Sequence, residues 1–276
     1  LARYARISEL FRMLEDLESA RRLERKSIET VRSAQEQLVQ VDELDALSSV
    51  VAHLRRRGLI GEAVELARMI PLRSQRALEL ARIAREAQLR GEFNRSREIL
   101  TEAERFLNEA ERTAVETITA QAVLARLYEA LGEAGMAEGR ATVVRGYLDG
   151  APATQAYHEP FIELLLYRIE AGDVGTLGSV VSLSESADFR AQVLWKLAGS
   201  PELADNSRLQ AGVLRQAAGE ETRDLSRETQ HGLIVAFLER GLLNEALRVL
   251  QQSNDPYIEA LGFVDLLRLV PNYTLE

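Results

Sequence analysis

The stretch ALELARIAREAQLRGEFNRSREILTEAERFLNEA, residues 77–110, decides the fold of this 276-residue chain. Apolar or small side chains recur in both of its halves at steps of three and four, at Leu80, Ile83, Ala84, Ala87, Ser96, Leu100 and Ala103. Gly91 separates the halves, and a glycine in this place can take the left-handed backbone that ends a helix. The stretch therefore predicts two amphipathic helices joined by a tight turn, which makes them pack antiparallel.

The same pattern recurs along the chain. Glycine follows a helical stripe five times, at Gly58, Gly91, Gly132, Gly172 and Gly241. A small or apolar residue stands five and nine positions after each glycine, at Ala63, Ala67, Ser96, Leu100, Ala137, Ala141, Leu177, Val181, Ala246 and Leu250. No stretch alternates with a period of two over the length of a strand. We therefore predict an all-α chain built from helix pairs.

This pattern resembles the tetratricopeptide repeat. Residues 77–110 match best, and residues 58–71 and 230–253 are similar to the same motif. The resemblance implies an α-solenoid of antiparallel helix pairs that coil into a right-handed superhelix. Residues 41–276 would form this array, and the geometry of residues 173–222 stays open because glycine and serine are frequent there.

Residues 1–40 differ from the repeats and predict an N-terminal helical pair or cap. Ile7, Leu10, Leu14 and Leu17 have the spacing of a short coiled-coil seam. Two interpretations are open: the pair packs on the first repeat, or its first helix makes a dimer.

Charge and composition exclude several classes of protein. The chain carries 34 basic and 43 acidic residues, and in residues 1–110 the numbers are 20 and 19. Because acids are mixed with the bases even there, nucleic acid is not the expected partner. Cysteine is absent, which excludes disulfides and thiol chemistry. No apolar run approaches the ~18 residues of a transmembrane helix.

Arginine supplies all but two of the basic residues. Such an excess is typical of GC-rich genomes, and we expect a bacterial protein. Leu1 stands first and no signal peptide is visible, so the compartment is open; we expect the cytoplasm rather than the periplasm.

No catalytic or metal-binding constellation is recognisable. The histidines are His53, His158 and His231, and none belongs to an HExxH motif. Glu228 and His231 form one Glu-x-x-His pair, whereas di-iron bundles use two such pairs. Glycine-rich phosphate loops are absent too. We expect no cofactor, no metal ion and no catalytic residue, and we expect Trp195 in the core.

In the tetratricopeptide arrangement the first helix of each pair lines the concave face. The resemblance then implies partner-binding residues on successive first helices, namely Arg55, Arg85, Gln88, Arg126 and Glu129. Arg85 and Arg126 have the same phase, and two guanidinium groups along a groove would suit a carboxylate, an acidic segment or a phosphate. The alternative is that they are solvated surface arginines paired with neighbouring acids.

The expected function is a non-enzymatic scaffold or adaptor that holds a protein or peptide in its groove. The alternative is a helical enzyme or small-ligand sensor. In that case Glu228, His231 and the arginines would converge in the concavity.

Overall fold

The computed structural model describes residues 17–33, 41–219, 222–253 and 255–269. All the regular elements in these ranges are helical, fourteen α-helices and four short 3-10 turns. The prediction of an all-α fold is confirmed. No helix within these ranges is both long enough and apolar enough to cross a membrane.

The chain divides into two compact units, residues 1–144 and residues 145–276. The described helices that begin in the first unit are α1 (Leu17–Ser33), α2 (Val41–Arg56), α3 (Ile60–Arg68), α4 (Arg73–Leu89), α5 (Phe93–Asn108), α6 (Val115–Ala130) and α7 (Ala134–Leu148). Helix α2 packs on α3, and α4 packs on α5. The second helix of each pair also contacts the first helix of the next one, α3 against α4 and α5 against α6.

The second unit repeats this scheme. Its helices are α8 (His158–Glu170), α9 (Leu177–Val181), α10 (Ala187–Ala198), α11 (Ser207–Ala218), α12 (Arg227–Glu239), α13 (Leu243–Gln252) and α14 (Pro256–Leu269). The pairs are α8 with α9, α10 with α11 and α12 with α13. First helices also contact one another in sequence, α8 with α10, α10 with α12 and α12 with α14. In both units the main contacts therefore join helices that are adjacent or next but one along the chain.

The turn glycines have the backbone that the sequence predicts. All five have positive φ, between 69° at Gly241 and 79° at Gly91. At Gly91 the amide donates to the Gln88 carbonyl and the following amide donates to the Ala87 carbonyl, so the last turn of α4 is closed. The joint between α10 and α11 differs, since Gly199 has φ −84° and a 3-10 turn follows it. This is why the pair of α10 and α11 did not appear in the glycine spacing.

The small and apolar positions that follow each glycine are all buried, with at most 5% of their surface exposed. Ser96 shows why small residues are needed, since its hydroxyl donates to the Ala84 carbonyl at 2.8 Å across the pair. A larger side chain there would separate α5 from α4. The facing apolar sides predicted for each pair are thus confirmed by burial.

Two regions depart from regular repeats. Between residues 173 and 222 the second helix α9 is five residues long, and α10 and α11 have twelve residues each. Within residues 1–40, where the sequence predicts a helical pair or cap, the structure describes the single helix α1 over Leu17–Ser33. Helix α1 contacts α2 and α3. The predicted helix and seam at residues 7–16 lie outside the described residues, and the boundary at residue 40 stays a prediction.

Stacked pairs should lose stability together. Leu100 is 5% exposed between α5 and α4, whereas Leu89 is 63% exposed. We expect Leu100→Asp to lower the free energy of unfolding by at least about 3 kcal/mol, because it buries an unpaired carboxylate. Hydrogen exchange should also accelerate in α4 and α6, which pack on α5. The matched variant Leu89→Asp should change the free energy of unfolding by less than about 0.5 kcal/mol; faster exchange confined to α5 in Leu100→Asp would contradict shared stability.

Candidate functional site

The predicted partner-binding residues all lie on first helices of the first unit, but their exposure differs. Arg55, Arg85, Gln88 and Glu129 are partly buried. Arg126 is only 1% exposed and is one of the largest fully buried side chains. The expected pair of open guanidinium groups is therefore absent, because Arg126 does not reach the surface.

Arg55 is also partly buried, close to the carboxylate of Glu79. Burial lowers the pKa of Arg55, and the nearby carboxylate of Glu79 opposes that shift. Glu79 is 1% exposed, and its Oε1 accepts a hydrogen bond from Arg82 at 2.6 Å. A buried charge is stable only when it is compensated. The charged groups of Arg55, Glu79 and Arg82 therefore compensate one another where α2 and α4 pack inside the first unit.

In the second unit, a polar junction connects three first helices. Lys196 of α10 donates to Nδ1 of His158 in α8 at 2.7 Å. Gln192 of α10 donates to Thr229 of α12 at 3.1 Å, and the Asp188 carboxylate accepts from the Ser226 amide at the start of α12. The junction fixes the relative positions of α8, α10 and α12.

His158 is neutral in this junction. An ammonium group can only donate, so Nδ1 accepts and the ring proton is on Nε2. The ring packs against Phe189 at a tilt of 35° with centroids 4.8 Å apart, and His158 is 5% exposed. Burial, and next the charge of Lys196, lower the pKa of His158 below its ordinary value of 6.5.

Next to this junction an open cleft of about 430 Å³ lies between α10 and α12. Its lining residues come from these two helices and their C-terminal ends, and they are Trp195, Gly199, Glu228, His231, Gly232, Val235, Ala236, Glu239 and Arg240. Trp195 is half-buried rather than in the core, so its indole is available at the cleft surface. An aromatic side chain in this state supplies a large contact area at little cost in side-chain entropy.

The indole of Trp195 has its position because residue 232 is glycine. A Cβ added at Gly232 would overlap the benzo part of the ring. Trp195 and Gly232 are 37 residues apart, the same interval that separates the hydrogen-bonded Gln192 and Thr229. The large and the small residue therefore occupy equivalent positions in successive pairs.

The polar side chains of the cleft differ in whether they already have a partner within the protein. Nε2 of His231 lies 2.7 Å from Oδ2 of Asp265 in α14. Arg240 donates to the carbonyls of Ala236 and Ala198, which connects the C-terminal ends of α12 and α10. Glu228 is exposed and has no ion pair with any described residue. Among the described residues, the charged lining group without an ion-pair partner is therefore the carboxylate of Glu228.

A second cavity of about 400 Å³ lies between α9, α10 and α11. Arg190 is its one charged lining residue, and its guanidinium already donates to the carbonyls of Ser184 and Glu185. It offers less for recognition than the cleft beside Trp195. No group of three His, Asp or Glu side chains in the described ranges is placed to hold a metal ion.

No protein-family model matches the chain, and no curated protein is significantly similar to it. The resemblance to the tetratricopeptide repeat therefore depends on the residues alone.

The sequence placed Glu228 and His231 together in the concavity of the alternative function, but it assigned Trp195 to the core, so a cleft beside the indole was not predicted. A usable signal was present. Glu228, His231 and Val235 lie at steps of three and four on one face of α12, and Gly232 stands one repeat after the only tryptophan. A glycine that interrupts an apolar helix opposite a large aromatic residue indicates a close approach.

The dependence on Gly232 can be tested directly. Gly232→Ala should lower the free energy of unfolding by about 1–3 kcal/mol, because the methyl group displaces the indole. The matched variant is Gly139→Ala in α7, where an added Cβ meets nothing within 4 Å. That change should raise the free energy of unfolding by about 0.5–1 kcal/mol through helix propensity alone. Equal effects of both substitutions in urea denaturation would show that the indole does not need this glycine.

His158 should make stability depend on pH. Because its pKa is lower in the folded state, the unfolded chain binds more protons as the pH falls below about 6.5. The free energy of unfolding is therefore highest above that pH and decreases below it, by at most about 1.4 kcal/mol per pH unit. Urea denaturation between about pH 5.5 and 7.5 should show a smaller slope for His158→Gln than for the wild type. Identical slopes would argue against a buried neutral histidine.

Proposed function

We propose that this protein is a non-catalytic scaffold or adaptor that binds a segment of a partner protein on the surface of its first helices. The observation that carries the proposal is the cleft between α10 and α12. It combines a half-buried aromatic side chain, an apolar floor at Val235 and Ala236, and a free carboxylate at Glu228. Protein-binding surfaces commonly combine a central aromatic anchor with polar groups around it.

The packing scheme supports the finer part of the proposal, a tetratricopeptide-like α-solenoid with a right-handed superhelix. Five second helices, α3, α5, α9, α11 and α13, each contact their own first helix and the first helix of the next pair. Within each unit the first helices contact each other in a row, so their remaining faces lie next to one another. A partner segment that follows this row meets side chains from consecutive pairs.

In the first unit Arg85, Gln88 and Glu129 are candidates for further contacts, since each keeps part of its surface exposed. Arg55 and Arg126 contribute through the packing of α2 and α6, which sets the positions of their neighbours. These first-unit residues would suit an acidic group better than the cleft of the second unit does.

The alternative function, a helical enzyme or small-ligand sensor, has one specific observation in its favour. His231 pairs with Asp265 inside an open cleft, and a carboxylate that orients a histidine is a common part of acid–base catalysis. The described lining residues of the cleft include no serine, threonine or lysine, so the histidine–carboxylate pair has no hydroxyl or amine among them to activate. The scaffold is therefore the better-supported function.

Site-specific photo-crosslinking tests the scaffold without assuming what the partner is. A benzoylphenylalanine replaces Gly199, which lines the cleft, is exposed and has a negative φ that accepts any side chain. The matched control carries the same group at Gly212, an exposed helical glycine of α11 with nothing within 4 Å of an added Cβ.

In cell extract we expect Gly199 to capture one protein reproducibly, and Gly212 to capture it at least about tenfold less. Trp195→Ala, combined with the probe at Gly199, should reduce the capture, because truncating a central aromatic anchor costs binding energy. The same proteins at both positions in equal yield would contradict a docking surface at the cleft.

A further inference from the structure

The free charges at the cleft between α10 and α12 are acidic. Glu228 is exposed and makes no ion pair with the described residues, and the side chain of Glu239 is 57% exposed. The nearest cation of Glu239 is Arg240, at the long distance of 3.9 Å. Both carboxylates are thus open to a cation brought by a ligand.

The arginines at and beside the cleft, Arg240 and Arg227, already have hydrogen-bond or ion-pair partners. Both terminal nitrogens of Arg240 donate to helix carbonyls, as described above. Arg227, next to Glu228 in sequence, forms an ion pair with Asp255. Glu228 and Glu239 are eleven residues apart on α12, about 16 Å along its axis, so an incoming cation contacts one of the two carboxylates.

Trp195 adds a second feature that selects for a cation. The negative face of an indole attracts guanidinium and ammonium groups, and tryptophan is the best of the aromatic residues in this role. Arginine suits the site better than lysine, because its planar guanidinium can stack on the ring while its N–H groups donate to a carboxylate.

The net charge of the second unit also favours a cationic ligand. Residues 145–276 contain 11 basic and 19 acidic residues. Such an excess attracts a positively charged partner over a distance of about one Debye length, roughly 8–10 Å at ordinary ionic strength.

From these observations we propose that the cleft of the second unit binds an arginine side chain of a basic protein segment, with the guanidinium on Trp195 and its N–H groups donating to Glu228 or Glu239. This inference rests on the proposed scaffold function and identifies the chemistry of the partner. It assigns a cationic ligand to the second unit, whereas the arginines of the first unit would suit an acidic one.

The only tryptophan of the chain lies in the site, so its fluorescence reports occupancy of the cleft. The probe is a short capped peptide of alternating arginine and glycine, titrated into the full chain. A peptide with citrulline in place of arginine has nearly the same shape without the charge and is the matched ligand control.

We expect a saturable change in fluorescence with the arginine peptide and none with the citrulline peptide. Glu228→Gln, at an exposed position, should weaken binding about fivefold, the size expected for one partly exposed charge contact. Glu185→Gln removes an equally exposed carboxylate of the same unit, outside the cleft, and should leave the dissociation constant unchanged within about twofold.

Three results would overturn the inference: no saturable change with the arginine peptide, equal binding of the citrulline peptide, or equal weakening by Glu228→Gln and Glu185→Gln. The last would mean that diffuse charge, and not the cleft, attracts the peptide. None of them decides the scaffold function, which the crosslinking from Gly199 tests without any assumption about charge. Failure of that capture together with binding of the arginine peptide would instead favour a small cationic ligand.

Discussion

The structure depends on the close approach of neighbouring helices at small side chains. Pairs such as α4 and α5 contact each other where one helix presents alanine or serine, and Ser96 is near enough to donate to a carbonyl of the facing helix. Because no single pair can bury its apolar side alone, each pair needs the next one. Within each unit, stability and the contacts between neighbouring pairs therefore have the same origin.

The turns of five helix pairs and the buried positions that follow them could be predicted from the sequence. A glycine with positive φ follows the first helix in five of the pairs, so five glycines marked five turns. Burial of the positions five and nine residues later followed from helical periodicity. The sixth joint, between α10 and α11, was not visible, since Gly199 ends its helix with ordinary backbone angles and offers no such mark.

The charged residues were harder to assign for a physical reason. Periodicity tells which face of a helix a residue occupies, but not whether a long side chain there extends to solvent or lies between helices. Arg126 has the phase of Arg85 and yet is fully buried. Glu79 likewise occupies a helix rich in surface charges and is buried beside Arg82. Such outcomes depend on neighbours brought in by other helices, which no local pattern specifies.

The overlap between Trp195 and any side chain at residue 232 has a consequence for the history of the protein. A methyl group at 232 overlaps the present position of the indole at 195, so a chain that gains it must move the indole at a cost in stability or lose it. The two positions are therefore expected to covary in divergent copies of this chain, with a glycine wherever the tryptophan persists. Substitution at either one alone would be selected against for packing reasons, whatever the cleft binds.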